Sequence, residues 1–272
     1  MILSLLTNKK SLIKHSIECG VDRIMIDLEF IGKKERQSGK NLFQSTHKLS
    51  DIKKINNDIT LIVRVNSINP KSKKEIDEVI DFGANIIMLP FFKTLDEVNQ
   101  FIKYVNGRAK ISLLIETKES LYLINELVKI NEIDEFHIGL NDLCLSFNKK
   151  NIFELIVDGT VEKCLNCLKL SGKPYGFGGV GSINNESLLI NPKLFLFEQL
   201  RTGCSLGWLG RSFRDNIKTK KNLCENIKNI RDSIDEYNFF DNVKTKELKT
   251  ELYKQIKIMN DKITLNHKKY RI

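Results

Sequence analysis

Eight short runs of apolar and β-branched residues recur along the 272-residue chain, and they constrain its fold more than any other feature. Each run is followed by a stretch with helical periodicity, which is typical of βα units and a parallel sheet. Eight such units favour a closed (β/α)₈ TIM barrel over an open doubly wound sheet. The runs are ILSLLT from residue 2, RIMIDLEF from 23, ITLIVRVN from 59, ANIIMLP from 84, KISLLIET from 110, EFHIGLND from 135, PYGFGGVG from 174 and TGCSLGWL from 202.

The barrel is predicted over residues 1–217, and residues 218–272 form a helical extension. Apolar residues recur there every three or four positions, from Ile227 to Ile263. The extension holds 14 Lys and Arg against 8 Asp and Glu, and so carries most of the net charge of +10. We expect two amphipathic helices that cover the barrel or pack on a neighbouring subunit, with their lysines in solvent, and therefore no binding of nucleic acid.

The chain has no run of eighteen apolar residues and no leader pattern, so we predict a soluble cytoplasmic protein without a membrane partner. Its six cysteines are scattered, which favours reduced thiols over a disulfide framework. Cys164 and Cys167 form a CxxC within a helical pattern, without the further ligands that a zinc site needs.

Charged residues at the ends of apolar barrel strands are the strongest functional signal, because a buried charge needs a partner, a metal or a ligand. Glu116 closes the fifth run and Asp142 the sixth. These strands are neighbours in a barrel, so the two carboxylates can share one hard cation. Without nearby His or Cys, oxygen ligands favour Mg²⁺ or Mn²⁺.

A second polar group lies on the second and third runs. Asp27 and Glu29 share one face, as do Arg64 and Asn66 on the next strand. Arg64 can present its two-pronged guanidinium to a substrate carboxylate or be held by Glu29, which predicts a small acidic substrate. The alternative is a buried ion-pair network that only ties strands together.

The glycine run GFGGVG follows the seventh strand, where TIM barrels often bind phosphate. Gly178 and Gly179, with Gly181, can let backbone amides approach a phosphate or carboxylate, or can serve tight turning alone. His137 has the opposite strand parity to Asp142, and neither it nor the other histidines has a metal-ligand spacing.

The segments IDLE, RVNS, GANIIMLP, LLIET and IGLNDL, in this order, resemble the aldolase/citrate lyase family of metal-dependent barrels. The resemblance covers residues 20–145 clearly and extends more loosely to 217. It implies that Glu116 and Asp142 bind the metal, that Arg64 contacts a 2-oxo acid carboxylate and that Glu29 supports Arg64. The predicted substrate-binding set is Arg64, Asn66, Asn141, Gly178 and Gly179.

The chain departs from this family pattern at two positions. Phe30 stands where a His or Asp follows the strand-2 Glu, and Leu114 stands where the aldolase branch has Gln. Replacement acid/base groups are expected in the polar loop after strand 2, which also could be only a solvated lid. The candidates in it are Lys34, Glu35, Arg36 and His47.

The predicted function is a metal-dependent carbon–carbon lyase or aldolase that works through an enolate, in a homo-oligomer. Two alternatives remain open. One is a transferase or hydrolase that uses phosphoenolpyruvate on the same barrel, which the glycine run would serve. The other is a non-catalytic binding protein, for which Phe30 is the supporting feature.

Overall fold

The computed structural model describes residues 1–33, 45–55 and 58–269. Within them, nine strands form one parallel sheet in the order β7-β6-β5-β4-β3-β2-β1-β9-β8. The strands are β1 (Ile2–Leu6), β2 (Arg23–Asp27), β3 (Thr60–Arg64), β4 (Ile86–Leu89), β5 (Lys110–Ile115), β6 (Glu135–Ile138), β7 (Tyr175–Phe177), β8 (Gly179–Val180) and β9 (Leu206–Leu209).

Helices surround this sheet, as a βα repeat requires. They are α1 (Lys10–Glu18), α2 (Ser72–Asp81), α3 (Leu95–Val105), α4 (Lys118–Tyr122), α5 (Ile124–Leu127), α6 (Leu140–Ser146), α7 (Glu154–Val157), α8 (Thr160–Leu170), α9 (Pro192–Arg201), α10 (Arg211–Asp215), α11 (Lys220–Tyr237) and α12 (Asn242–Lys269), with a 3₁₀ helix at Leu49–Lys54.

All eight apolar runs contain strands, and the predicted α/β TIM barrel is confirmed, with one difference in the seventh run. That run is broken at Gly178, whose φ of 58° lies in the left-handed region. The part before the break, β7, pairs with β6, and the part after it, β8, pairs with β9. Strand β9 also pairs with β1. The two parts of the broken run, β7 and β8, are therefore the two ends of the strand order, and the run joins them.

The two faces of the sheet bury different cores. Outward-facing residues such as Leu3 and Ile26 pack against the helices. The inside of the barrel is filled by a smaller cluster of Met25, Ile62, Ile86, Met88 and Leu114, with Leu6 and Trp208 against it. This apolar filling makes the inside of the barrel a packed core, in which Ser4 and Ser112 are small buried polar residues within the strands.

The helical extension packs on the chain's own barrel. Helix α11 contacts α1 and α9, and α12 contacts α9 and α7. The predicted apolar stripe is buried at Ile227 and Ile230 in α11 and at Leu252 and Ile256 in α12. These contacts all lie between the extension and helices of the same chain.

The expectation of six reduced thiols is wrong for one pair. Cys19, at the end of α1, and Cys224, in the first turns of α11, form a disulfide across a sequence separation of 205 residues. The packing of α11 on α1 brings the two side chains together, which spacing along the sequence cannot show. Cys144, Cys164, Cys167 and Cys204 are free thiols.

In the part of the chain that the structure describes, none of the helices combines the length and apolar character that a membrane span requires.

Gly176 gives a direct test of the barrel closure. A Cβ at this position would lie 2.1 Å from the Leu206 carbonyl oxygen, a backbone atom of β9. We expect Gly176→Ala to lower the free energy of unfolding by more than about 3 kcal/mol, because the strands must separate to admit the methyl group. Urea unfolding measures the loss. Gly172→Asn is the control, because Gly172 faces open space at a φ of 69° that Asn tolerates. A Gly176→Ala protein as stable as this control would contradict the prediction.

Candidate active site

A pocket of about 250 Å³ opens at the carboxyl ends of the strands, the end at which TIM barrels build their active sites. Its lining comes from β1, β2, β3, β5, β6, β8, β9 and segments that follow these strands, over the apolar filling of the barrel. The polar side chains that line it are Ser4, Lys33, Arg64, Glu116, His137, Asn141, Asp142, Arg211 and Arg214.

Glu116 follows directly after β5 and is buried. Its Oε1 accepts a hydrogen bond of 3.1 Å from the backbone N–H of Phe91, which follows β4. Phe91 has a φ of 49°, a conformation that costs a non-glycine residue about 1–2 kcal/mol. Gly139, after β6, leaves the space that the carboxylate occupies, since a Cβ there would lie 2.7 Å from Glu116 Oε2. Three strand ends thus fix one carboxylate.

Asp142 lies in the first turn of α6, four residues beyond the end of β6, and is also buried. The sequence interpretation placed it at the end of the strand. The chain instead turns into a helix at Gly139, whose extended backbone begins the helix. A carboxylate in the first turn of a helix is stabilised by the N–H groups exposed there.

Glu116 and Asp142 therefore line one pocket and offer only oxygen atoms, which is the donor type that Mg²⁺ and Mn²⁺ prefer. The described residues contain no cluster of three or more His, Cys, Asp or Glu side chains placed to hold a metal ion. A cation held by this pair would keep most of its coordination positions for substrate and water, as catalytic metal sites do. The pair fits such a cation, and the missing Cβ of Gly139 keeps the site open.

Arg64, at the end of β3, belongs to a buried cluster of two cations and two carboxylates. Its Nε and Nη2 donate to the two oxygens of Asp27 at 2.8 and 2.7 Å. Lys33 Nζ lies 3.0 Å from Asp27 Oδ2 and 3.1 Å from Glu29 Oε2. Glu29 is 3.5 Å from Arg64 Nε, so the main support of Arg64 comes from Asp27.

The charges within this cluster are mutually stabilised. Burial alone would raise the pKa of Asp27, but Arg64 and Lys33 outweigh burial and hold this pKa well below its usual range. Burial likewise opposes the charge of Arg64, yet Asp27 and Glu29 raise the pKa of its guanidinium. Arg64 is a permanent cation whose second edge, Nη1 with the remaining Nη2 proton, has the geometry that receives a planar carboxylate.

Asn66 and Phe30 lie away from this pocket. Asn66 Oδ1 accepts from the backbone N–H groups of Phe30 and Ile31 at 2.9 and 3.0 Å, and its Nδ2 donates to Glu75 at 2.7 Å. These bonds hold the segment after β2. The Phe30 side chain is 72% exposed. Neither residue lines the pocket, although Asn66 was predicted to bind substrate.

The other predicted substrate-binding residues do line the pocket. Asn141 lies in the first turn of α6, and Gly178 and Gly179 lie at the break in the seventh run. The N–H of Gly178 donates to the Ile138 carbonyl at 3.0 Å, so this amide is engaged in the barrel. A Cβ on Gly179 would lie 3.1 Å from the Gly210 Cα. Both glycines therefore contribute to the closure of the barrel: Gly178 through its hydrogen bond, and Gly179 through the close approach of the backbone that it allows.

His137 is the residue that the sequence interpretation missed. The parity argument placed it opposite to Asp142, but the strand ends at Ile138 and the alternation does not continue into α6. His137 therefore lines the pocket with Asp142. Its ring stacks on Trp208, with centroids 3.9 Å apart and planes 3° apart.

The hydrogen bonding of His137 defines its protonation state. Nε2 lies 2.9 Å from the Gly178 carbonyl oxygen, an acceptor, so Nε2 carries the proton. Nδ1 is buried and has no hydrogen-bond partner among the described residues. Burial, reinforced by the charge of Arg64 and opposed by the bond to Gly178, lowers the pKa of His137 to about 3. An unsatisfied buried acceptor costs about 1–3 kcal/mol.

The loop after β2 is described only in part. Lys34, Glu35 and Arg36 lie outside the described residues, so their predicted acid/base role stays a prediction. His47 Nδ1 accepts the backbone N–H of Asp27 at 3.1 Å, and burial lowers its pKa. Lys33, which the sequence interpretation did not single out, is the loop residue seen in the pocket.

The family model described as HpcH/HpaI aldolase/citrate lyase matches residues 1–154, more than half of the chain. The chain belongs to this family. The resemblance drawn from the strand-end motifs is therefore confirmed, and membership supports a lyase- or aldolase-type enzyme. No curated protein matches the chain.

Solved structures agree with the fold. An HpcH/HpaI aldolase from Desulfitobacterium hafniense is 13% identical with a TM-score of 0.60, covering 85% of this chain and 92% of its own. An HpcH/HpaI aldolase/citrate lyase family protein from Burkholderia cenocepacia is 12% identical with a TM-score of 0.61. The match covers 86% of this chain and 93% of that protein. The citrate synthase SbnG is 15% identical with a TM-score of 0.58, and the match covers 86% of this chain and 94% of that protein. At these identities the likeness shows the barrel alone.

The buried neutral His137 predicts how stability depends on pH. Between about pH 3 and 6.5, the unfolded histidine is protonated while the native one is neutral, so acid favours unfolding. Lowering the pH from 6.5 should therefore cost up to about 1.4 kcal/mol per pH unit from this residue. Urea unfolding at several pH values measures the slope. His137→Phe, which keeps an aromatic ring against Trp208, should lose this contribution, and equal slopes in both proteins would contradict the assignment.

Proposed function

We propose that the protein is a metal-dependent carbon–carbon lyase or aldolase that acts on a 2-oxo acid or a related acidic substrate through an enolate. The observation that carries the proposal is the lining of one pocket by Glu116, Asp142 and Arg64. A pair of carboxylates suited to a hard cation and a guanidinium suited to a carboxylate are the two elements that a 2-oxo acid requires. Assembly as a homo-oligomer remains a prediction.

In this proposal Arg64 binds and orients the substrate carboxylate. Asp27 occupies one edge of the guanidinium at 2.8 and 2.7 Å and fixes its plane. The opposite edge then receives the carboxylate as a pair of parallel hydrogen bonds, which sets the direction of the adjacent oxo group. Glu29 and Lys33 complete the cluster, so that the positive charge of Arg64 is held without movement when charge develops on the substrate.

Glu116 and Asp142 would hold Mg²⁺ or Mn²⁺ beside that substrate. The cation, when bound, supplies Lewis-acid polarisation of the oxo group and stabilises negative charge on its oxygen. The chain contributes the placement of the ligands: the Phe91 N–H donates to Glu116, and Asp142 lies in the first turn of α6. Met25 and Leu114, which belong to the apolar filling of the barrel, line the pocket and give it an apolar floor.

Exchange of the pyruvate methyl protons in deuterated water tests the enolate-forming step. We expect exchange with Mg²⁺ or Mn²⁺ and a loss of at least about 100-fold in Glu116→Gln and Asp142→Asn, because each removes a charged metal ligand. Proton NMR of the methyl signal measures the rate, and calorimetry with Mn²⁺ measures metal binding independently. Glu119→Gln, an exposed carboxylate three residues from Glu116, is the control. Metal binding by a folded protein without exchange would refute the enolate proposal.

Arg64→Lys tests the carboxylate-binding role. Lysine keeps the charge but cannot bond Asp27 along one edge and a carboxylate along the other. We expect the exchange rate per KM for pyruvate to fall about ten- to one-hundred-fold, with a raised KM, because one charge-assisted bidentate contact is lost. Arg108→Lys, which alters a guanidinium bonded to Asp77 on the surface, is the matched control. An unchanged KM in Arg64→Lys would show that Arg64 does not bind the substrate carboxylate.

A further inference from the structure

A second cavity lies beside the pocket, at the carboxyl ends of β1 and β9. Its volume is about 620 Å³, against about 250 Å³ for the pocket itself. Its walls come mainly from the segments after these two strands, from α1 and from the start of α11. Leu6, Arg211 and Arg214 line both spaces, so the cavity and the pocket are direct neighbours. A ligand that passes these three residues can occupy both.

Positive charge dominates the lining of this cavity. Its lysine, arginine and acidic side chains are Lys9, Arg211, Arg214, Lys218, Lys220 and Asp215. The Nζ of Lys220 lies 2.5 Å from a carboxylate oxygen of Glu18, which is outside the lining. Among the described residues that line the cavity, the other four cations are balanced by one carboxylate, Asp215. Cations gathered on a concave surface raise the local concentration of anions.

The cavity also offers hydrogen-bond donors suited to an anion. Helix α1 begins at its edge, with Ser11 and Leu12 in the lining, and Lys9 at the N-cap provides no side-chain cap for the first N–H groups. The Thr219 hydroxyl, also in the lining, accepts from the Asn222 N–H at 3.1 Å and has its own proton to donate. These donors add to the lysine and arginine side chains, and such a combination is typical of phosphate sites.

An anion in the cavity would also stabilise Arg214. Burial lowers the pKa of this guanidinium, Asp215 opposes the shift, and the positive charge of Arg211 adds to it. Arg211 and Arg214 therefore repel each other at the boundary between the cavity and the pocket. An anion held beside both guanidinium groups offsets this repulsion.

The charge of the cavity favours a phosphate over a carboxylate. A phosphate monoester carries about two negative charges at neutral pH and three acceptor oxygens, whereas a carboxylate carries one charge and two oxygens. Two charges and several acceptors match four cations that are balanced by one carboxylate. The glycine run, where phosphate binding was predicted, is less suited, because the Gly178 N–H already donates to the Ile138 carbonyl.

We propose that this cavity binds a phosphate group of the substrate, so that the enzyme joins or releases a phosphorylated aldehyde. This inference rests on the proposed function, because it names the second partner of the carbon–carbon bond. In the joining direction, the pyruvate methyl carbon loses a proton and bonds to the aldehyde carbon, and the aldehyde oxygen gains a proton. The phosphate is unchanged in this step. Arg64 holds the carboxylate of the 2-oxo acid, and Lys9, Lys218, Arg211 and Arg214 hold the phosphate.

Binding is tested first, without turnover and without added metal. The probes are glycerol 3-phosphate and inorganic phosphate, with glycerol as the uncharged comparison, and calorimetry and ³¹P NMR measure the affinities. The double variant Lys9→Gln/Lys218→Gln should weaken glycerol 3-phosphate binding about five- to twentyfold, because two charge-assisted contacts are lost. The matched control is Lys10→Gln/Lys221→Gln, which alters exposed neighbours outside the cavity lining. Equal affinities in the two double variants, or no binding by the wild-type protein, overturn the proposal.

Turnover tests whether the bound phosphate belongs to the substrate. With pyruvate and Mg²⁺, the aldehydes are glyceraldehyde 3-phosphate against glyceraldehyde and erythrose 4-phosphate against erythrose. We expect kcat/KM for at least one phosphorylated aldehyde to exceed that of its partner by about tenfold or more, and Lys9→Gln/Lys218→Gln to reduce this ratio at least about fivefold. No preference in either pair overturns the proposal.

Inorganic phosphate distinguishes a substrate group from a separate effector. It should raise the KM for the preferred phosphorylated aldehyde without lowering kcat, because both compete for one cavity. Phosphate that binds but leaves this KM unchanged assigns the cavity to an effector and overturns the proposal. The two proposals also fail separately: exchange of pyruvate protons without phosphate binding refutes only the phosphate site, and phosphate binding that depends on Lys9 and Lys218 without exchange refutes the enolate chemistry.

Discussion

The break at Gly178 is the constraint on which the barrel and its pocket both depend. Its left-handed backbone lets one apolar run pair with β6 before the break and with β9 after it, so the sheet can close on β1. Its N–H donates a hydrogen bond to the Ile138 carbonyl, and its own carbonyl accepts one from Nε2 of His137. Closure of the sheet and orientation of a pocket side chain are thus consequences of one glycine, for which a side chain would meet Leu140 at 2.9 Å.

The residues that could be predicted from the sequence are those whose position follows from strand periodicity. Glu116 and Arg64 were found because a charge at the end of an apolar strand has few explanations. Periodicity also failed where the strand ended: α6 begins at Leu140, so parity carried from Asp142 back to His137 put the histidine on the wrong face. Asn66 was misplaced for a related reason, since β3 ends at Arg64 and the chain beyond it turns away from the pocket.

The buried cluster around Arg64 is consistent with both a structural and a functional role for its residues. A purely structural ion-pair network was the alternative, and Asp27, Glu29, Lys33 and Arg64 do form one. Buried ion pairs contribute little net stability, because desolvation offsets most of their attraction. A network that holds one guanidinium at the edge of a pocket gains its value from that fixed orientation, so the structural and functional interpretations of these residues are compatible.

The departures from the family pattern acquire a physical meaning in the same pocket. Leu114 places an apolar side chain near the end of β5, and the residue opposite it in register on β6 is His137, whose side chain also lines the pocket. Phe30 points into solvent, so no side chain from that position reaches the pocket, while Lys33, three residues later, does. The polar side chains that reach the pocket from this part of the barrel are therefore those of Lys33 and His137, and neither position 30 nor position 114 supplies one.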